Sequence, residues 1–418
     1  MKEITLNHIC KIEGHANLNL KIENNKVKIC ELQTTEGARF FEALVLNKKV
    51  EDIQEIVSRI CGVCSCSHSV ASIQALEEAM GIKPSNQQKT IRELLMIGER
   101  IRSNITHLYF LSLPDYFNAS SALQLGPEHK NKINTAIALI SLGNKIVETF
   151  GGREIHPFLA IKERLPKTDF QPILEQLKAC KPKLIQTIEL FKNISYPKLE
   201  RQTDYLCLKE NNNYATISGK IVSSSGLIND NDYKKHLKEN IKEYATSKFV
   251  LQNKKPYMLG AIARINKNHD CLDNETKTFI KDLKIPFNNP YHNNIAQALE
   301  LLHLSNKAIK LIEDLNPKPE KTEFKIKQGQ GVSAVEAPRG TLFHEYEINK
   351  QGRITYCNIL PPTTQNLNMM EQDIITAVNN MLEENKSKTQ IIDRTEKLIR
   401  AYDPCFSCST HFLKVKWL

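Results

Sequence analysis

The chain has 418 residues, 41% hydrophobic and 25% charged, which is enough to bury a large core and excludes a disordered chain. Its net charge of +10 comes from 57 Lys and Arg against 47 Asp and Glu, but the lysines are scattered and no nucleic-acid-reading motif is present, so a nucleic-acid partner is not expected. Eleven cysteines are too sparse for a disulfide scaffold, no run of about 20 apolar residues occurs, and the N-terminus lacks an apolar signal segment; a cytoplasmic protein without direct membrane insertion is expected.

The first predicted elements are strands. Ala16, Leu18, Leu20 and Ile22 alternate with Asn17, Asn19, Lys21 and Glu23, Asn24-Asn25 offers a turn, and Val27 and Ile29 resume the alternation: a hairpin with one buried face within a sheet region at 1–35. The period then becomes helical. Ile91, Leu94, Ile101, Ile105 and Leu108 mark a stripe ending before Pro114, and Ile295, Leu299, Leu302, Ile309 and Ile312 mark another before Pro317 and Pro319. Further helices are expected at about 129–150, 171–193 and 370–400. No Gly/Ser or Pro-rich linker divides the chain, so a single domain over 1–418 of α+β class, mainly α, is predicted.

Two motifs carry chemistry. Arg59-Ile60-Cys61-Gly62-Val63-Cys64-Ser65-Cys66-Ser67-His68 and Asp403-Pro404-Cys405-Phe406-Ser407-Cys408-Ser409-Thr410-His411 each hold two cysteines three apart, a spacing that lets a tight turn aim both sulfurs at one ion. Four thiolates form a soft set open to zinc, iron or nickel. Zinc ribbons separate such pairs by about 15–20 residues, whereas here the pairs lie near opposite ends of the chain, which suits a site assembled at the centre of a large fold. Cys66 reads as a small buried residue.

The two cysteine motifs resemble the signatures of the large subunit of nickel-iron hydrogenases. Six further segments resemble that family in the same order: Ile12-Glu13-Gly14-His15, Arg39-Phe40-Phe41-Glu42, Gly260-Ala261-Ile262-Ala263-Arg264, Ala296-Gln297-Ala298-Leu299-Glu300, Glu336-Ala337-Pro338-Arg339-Gly340-Thr341 and Pro362-Thr363-Thr364-Gln365-Asn366. The resemblance covers nearly the whole chain. It implies the nickel-iron hydrogenase large-subunit fold, with a central bundle of long helices and a small N-terminal sheet, and reversible oxidation of H2 to protons and electrons.

By this resemblance Cys61 and Cys405 are terminal nickel ligands, and Cys64 and Cys408 bridge nickel to an iron that carries cyanide and carbonyl. Glu13 is the first carboxylate of the proton path beside the terminal thiolate of Cys405, and Arg339 sits over the open metal position. Pro338 and Thr363 line the pocket of the iron's diatomic ligands, Thr363 donating to cyanide, and His68 donates to a bridging sulfur. Glu42, His411 and a main-chain carbonyl near Ile359 hold a separate magnesium or iron ion. Residues 412–418 form an extension removed by a maturation endopeptidase after nickel loading by a maturation chaperone.

The subgroup resembled most is the cytosolic sulfhydrogenase or NAD(P)-linked one; deazaflavin-reducing and heterodisulfide-reductase-linked relatives are the near alternatives. No Gly-x-Gly-x-x-Gly motif or further cysteine cluster is present, so flavin-bearing diaphorase partners and a small subunit with iron-sulfur clusters are implied. The other classes are a complex I-like protein, which lacks the metal, and a structural zinc protein. The chain departs from the commoner family forms at Lys11, Ser103, Asn104 and Gln365, and Ile161-Lys162-Glu163-Arg164 replaces a glycine pair, which suggests a rebuilt partner-facing surface.

Overall fold

The computed structural model describes residues 2–163, 166, 168–283, 285, 287–320 and 323–410. His411 and the extension at 412–418 lie outside the described residues.

The N-terminal strands follow the alternation. Ala16, Leu18, Leu20 and Ile22 are buried on strand Ala16–Glu23, which pairs antiparallel with both Lys2–Leu6 and Lys26–Thr34. Asn24 and Asn25 both take the left-handed conformation that a tight two-residue hairpin favours. The third strand departs from expectation. The register shifts at Lys21/Ile22, so Val27 is half-buried, Ile29 is exposed, and burial resumes only at Leu32 and Thr34.

Four long helices form the central bundle: Asn86–Thr106, Lys130–Gly151, Gln171–Lys192 and Asn293–Glu313, each packed against two of the others. Ser85 starts the first through a reciprocal capping box with Gln88. Its crossing with Lys130–Gly151 brings backbones together, because a Cβ on Gly143 would stand 2.7 Å from the backbone nitrogen of Arg102. The helix does not end before Pro114, as the sequence suggested. It widens into a π-helical segment, His107–Ser112, and resumes at Leu113–Tyr116, where Pro114 occupies a first turn and its missing N–H costs nothing.

The expected C-terminal helix at 370–400 is two helices, Pro362–Glu383 and Lys388–Ala401. Asn385 turns left-handed after the first, and Ser387 caps the second by accepting from the Gln390 N–H. Between the bundle and these helices lies an antiparallel sheet of Gly329–Ala337, Gly340–Ile348 and Ile354–Leu360. Helix Ser65–Met80 packs on its first two strands. Almost every residue of those strands is buried, so they carry no alternation to betray them in the sequence.

Candidate metal centre

Each cysteine pair sits where one element ends and another begins. Cys61 is extended after the short turn Ser58–Ile60, and Cys64 caps the Ser65–Met80 helix. Cys405 follows a left-handed Asp403, and Cys408 lies in the turn Ser407–Ser409. The Arg39 guanidinium joins the two loops by donating to the carbonyls of Ile60 and Ser407. The N-terminal loop adds a third clamp: Glu13 bridges Cys405, with the Phe406 N–H donating to the Glu13 carbonyl at 2.9 Å.

Gly14 permits that approach. Its φ is +79°, and an added Cβ would lie 2.9 Å from both Phe406 Cβ and Ser407 N. Gly14→Ala is therefore expected to cost about 1–3 kcal/mol through left-handed strain and the clash. A lowered unfolding midpoint together with reduced nickel retention checks it.

The four sulfurs converge. Cys61 and Cys405 are 3.6 Å apart, Cys64 and Cys408 3.2 Å, and Cys405 and Cys408 2.8 Å. All are buried free thiols whose sulfurs lie within 4.8 Å of one another. Hydrogen bonds from Cys405, Cys408 and Cys64 hold the Cys61 thiol well below its usual range. Similar bonds from Cys405 and Cys408 pull Cys64 down, but the Cys61 thiolate and burial outweigh them and push it up to about 11. Burial raises Cys405 and Cys408 well above the thiol range. Thiols packed this closely oppose one another's ionisation, and a cation at their centre is what would let all four ionise. The donor set fits a soft metal group.

A small cavity adjoins the sulfurs, lined by Cys64, His68, Ala337, Pro338, Arg339, Leu342, Pro362, Thr363, Cys405 and Cys408. Arg339 reaches it from a two-residue hairpin turn, because Ala337 pairs with Gly340 and leaves Pro338 and Arg339 at the tip. Arg339 donates to the Asp403 carbonyl at 2.7 Å and to its carboxylate at 2.9 Å. Burial works against the guanidinium charge, but Asp403 and the cysteine thiolates outweigh it and hold the cation firmly. The hairpin itself rests on buried charge: Arg264 pairs with Glu300 and Glu336 and donates to the carbonyls of Ala337 and Pro338 at 3.2 and 3.0 Å.

Glu13 Oε2 accepts from the Cys405 thiol at 2.9 Å and from the Ser407 N–H at 3.2 Å, and the Ser407 hydroxyl donates to the other carboxylate oxygen. Glu13 is only half-buried, so its carboxylate spans the sealed pocket and the outside. Thr363 accepts from the Cys405 N–H at 2.9 Å, which leaves its own hydrogen to donate. His68 lies fully buried beside Cys64, and desolvation pulls its imidazole down to about 4, so it is neutral.

Of the three residues expected around a second ion, two are brought together. Glu42 Oε1 accepts from the Ile359 N–H at 2.9 Å. In an antiparallel pair one residue's N–H and C=O point to the same side, so the Ile359 carbonyl faces the same region. Lys248 Nζ also reaches Glu42, at 3.1 Å. The third residue, His411, lies outside the described residues.

Several residues escaped the sequence. Glu99 is buried under the Ser65–Met80 helix, accepting from the N–H groups of Cys66 and Ser67 at 2.5 and 3.1 Å, and burial raises its carboxyl. Asp403 and Ser407 were visible only as motif letters. Ile161 and Glu163 point inward, Glu163 pairing with Arg92, so those two positions are core rather than a rebuilt partner surface; Arg164 lies outside the described residues. Lys11 pairs with Asp115, and Ser103 Oγ is 3.4 Å from Arg339. Gln365 is buried, donating to the Thr341 carbonyl at 2.7 Å. The buried amide of Asn104 has no partner among the described residues.

Comparison with known proteins agrees with this geometry. The family described as nickel-dependent hydrogenase matches residues 39–167 and 232–411. The chain is 34% identical to the alpha subunit of Sulfhydrogenase 1 of Pyrococcus furiosus, over 99% of this chain and 98% of that one. It is 29% identical to a vhu subunit of the F420-non-reducing hydrogenase of Methanococcus voltae, over 92% and 100%. Its fold matches an NAD+-reducing [NiFe]-hydrogenase with a TM-score of 0.87 at 22% identity, covering 98% of this chain and 100% of that one. With four convergent thiolates in a matching fold and relatives similar over their full length, this chain belongs to the nickel-dependent hydrogenases, as the large, catalytic subunit.

Proposed function

We propose that this subunit cleaves and forms H2 heterolytically in the cytoplasm, exchanging electrons through an iron-sulfur small subunit with NAD(P) or with sulfur and polysulfide. Cys61, Cys64, Cys405 and Cys408 would hold a nickel-iron group with cyanide and carbonyl on iron, which would supply a place for H2 to bind and the electron capacity. The observation that carries the reading is the Cys405 thiol 2.9 Å from the Glu13 carboxylate, inside a sealed four-cysteine site.

The chain's own residues do the rest. Cys405 receives the released proton and hands it to Glu13, which passes it outward through its half-buried carboxylate. Arg339, held rigid by Asp403, brings a desolvated cation to the cavity beside the sulfurs, where it would stabilise developing negative charge. Thr363 and Pro338 line the cavity and would enclose the iron's diatomic ligands, with the Thr363 hydroxyl as donor. Glu42, the Ile359 carbonyl and His411 hold magnesium or iron and tie the C-terminal segment down; removal of 412–418 by an endopeptidase, after a chaperone has loaded nickel, completes the site.

The small subunit docks on the side of the first cysteine loop where exposed Gly62 lies against exposed Ile155. Flavin and further clusters belong to diaphorase partners. Sulfhydrogenase-type chemistry is favoured by the higher identity to the sulfhydrogenase relative than to the F420-non-reducing one.

Infrared spectroscopy of the purified complex, with metal analysis, tests this reading. One carbonyl and two cyanide bands with about one nickel per chain are expected if the four cysteines hold the nickel-iron group. Stoichiometric zinc without those bands, in protein made with its maturation machinery, would overturn it.

A further inference from the structure

His107 opens the π-helical segment at the end of the first bundle helix, Gln297 stands on helix Asn293–Glu313, and Asp403 shortly precedes Cys405. All three are buried, and they join end to end. His107 Nε2 is 2.7 Å from the Arg400 carbonyl, His107 Nδ1 is 2.6 Å from Gln297 Oε1, and Gln297 Nε2 donates to the Asp403 carboxylate at 3.2 Å. The other oxygen of that carboxylate holds Arg339 at 2.9 Å. His107 and Gln297 take no part in the H2 chemistry described above.

These contacts fix a charge. A carbonyl only accepts, so His107 Nε2 carries a hydrogen. In a neutral ring Nδ1 would then be bare and would need the Gln297 NH2 as its donor. Turning that NH2 to His107 would turn the amide oxygen to Asp403, whose carboxylate already pairs with Arg339, and two acceptors would face each other in the core. The conflict disappears when His107 holds a hydrogen on both nitrogens. The imidazolium then donates to the Arg400 carbonyl and to Gln297 Oε1, and Gln297 donates to Asp403. Both imidazole contacts are as short as charge-assisted bonds. Arg400 makes room for the charge by turning its guanidinium to Asp115 and Glu396, at 2.7 and 2.8 Å, and offering His107 its carbonyl.

We infer that His107 is a positioning residue, held as an imidazolium, which sets the orientation of Gln297 and through it the Asp403 carboxylate and the aim of Arg339 at the cavity. The part played by Arg339 rests on the nickel-iron reading above. A free amide could present either end to Asp403; with the imidazolium behind it, Gln297 presents its NH2. One oxygen of Asp403 is then committed to Gln297 and the other to Arg339, so the guanidinium cannot trade one for the other.

The charge is tested by nitrogen NMR of the complete hydrogenase complex with isotopically labelled histidine at neutral pH, the His107 signals being identified by their loss in His107→Gln. Two protonated ring nitrogens are expected on His107; a bare Nδ1 overturns the inference. The relay is tested by Gln297→Glu, which keeps the shape of the side chain and loses the donor to Asp403. Its kcat is expected to fall by roughly 10²-fold, as for a misplaced catalytic group, at unchanged KM for H2 and unchanged nickel content. A side chain that merely fills space would tolerate so small a change, so unaltered turnover, or a raised KM at the same kcat, overturns the inference. His107→Gln should give a similar loss, and combining the two should add little, because both act through Asp403; fully additive losses would mean separate roles and overturn it. If Gln297→Glu fails to assemble, Gln297→Met removes the same donor without adding a charge and takes its place. Absence of carbonyl and cyanide bands from the unaltered complex would instead overturn the nickel-iron reading, on which the His107 signal does not depend.

Discussion

Replacing Glu13 by glutamine is expected to lower H2 oxidation and evolution by about 10²–10⁴-fold, the range for removing a positioned proton-transfer group. Glutamine keeps the volume and still offers an oxygen to the Cys405 thiol and the Ser407 N–H, so the loop geometry should hold. What it loses is the capacity to take up and release a proton. Nickel content and the infrared bands should therefore remain while turnover falls in both directions. The arrangement leaves little room for a bypass, because Cys405 is sealed in the core and Glu13 is the half-buried carboxylate that touches its sulfur. Loss of nickel in step with activity would show that Glu13 serves assembly of the site rather than proton transfer.

The second large effect concerns the buried charges behind the Arg339 hairpin. Glu300→Gln is expected to destabilise the chain by about 3–5 kcal/mol, because it takes the paired carboxylate from buried Arg100 and leaves Arg264 with Glu336 alone. Glu300 is completely buried between Arg264 and Arg100 and accepts from the Tyr214 hydroxyl at 2.7 Å. Burial opposes its charge, yet Arg264 and Arg100 overcome this and hold its carboxyl at about 2, against 4.5 for an unperturbed glutamate. A lowered folded-state value means stability that is present above pH 4.5 and is lost as pH falls towards 2. Unfolding of the unaltered protein should steepen across that window, and the variant should show a flatter acid limb as well as a lower midpoint. Arg264 also carries the carbonyls of Ala337 and Pro338, so Arg339 should lose its fixed aim in the same variant. An unchanged midpoint at neutral pH would show that the network is compensated from elsewhere.

Much of the site was legible because ligand spacing is local chemistry. A pair of cysteines three apart can chelate whatever the rest of the chain does, and the bundle helices announce themselves because each buries one stripe at a period of 3.6. The N-terminal strand Ala16–Glu23 was legible for the same reason at period two. The errors fall where local rules are overridden. Pro114 reads as a terminator, yet a π-helical segment lets the helix absorb it. Val27 and Ile29 look like core until the register shift turns that stretch outward.

The sequence alone determined the two cysteine pairs and the long helices, because each is a property of residues a few positions apart; Glu13 followed only from a family resemblance, since it stands far along the chain from Cys405. Only the tertiary structure decided that Asp403 fixes Arg339, that Arg39 joins the two cysteine loops, that Glu99 lies beneath the Cys64 helix, and that His107 reaches Asp403 through Gln297. A buried polar side chain must find its partner, and in a core assembled from both ends of a chain that partner stands far away in sequence. No local pattern encodes which distant group it will be.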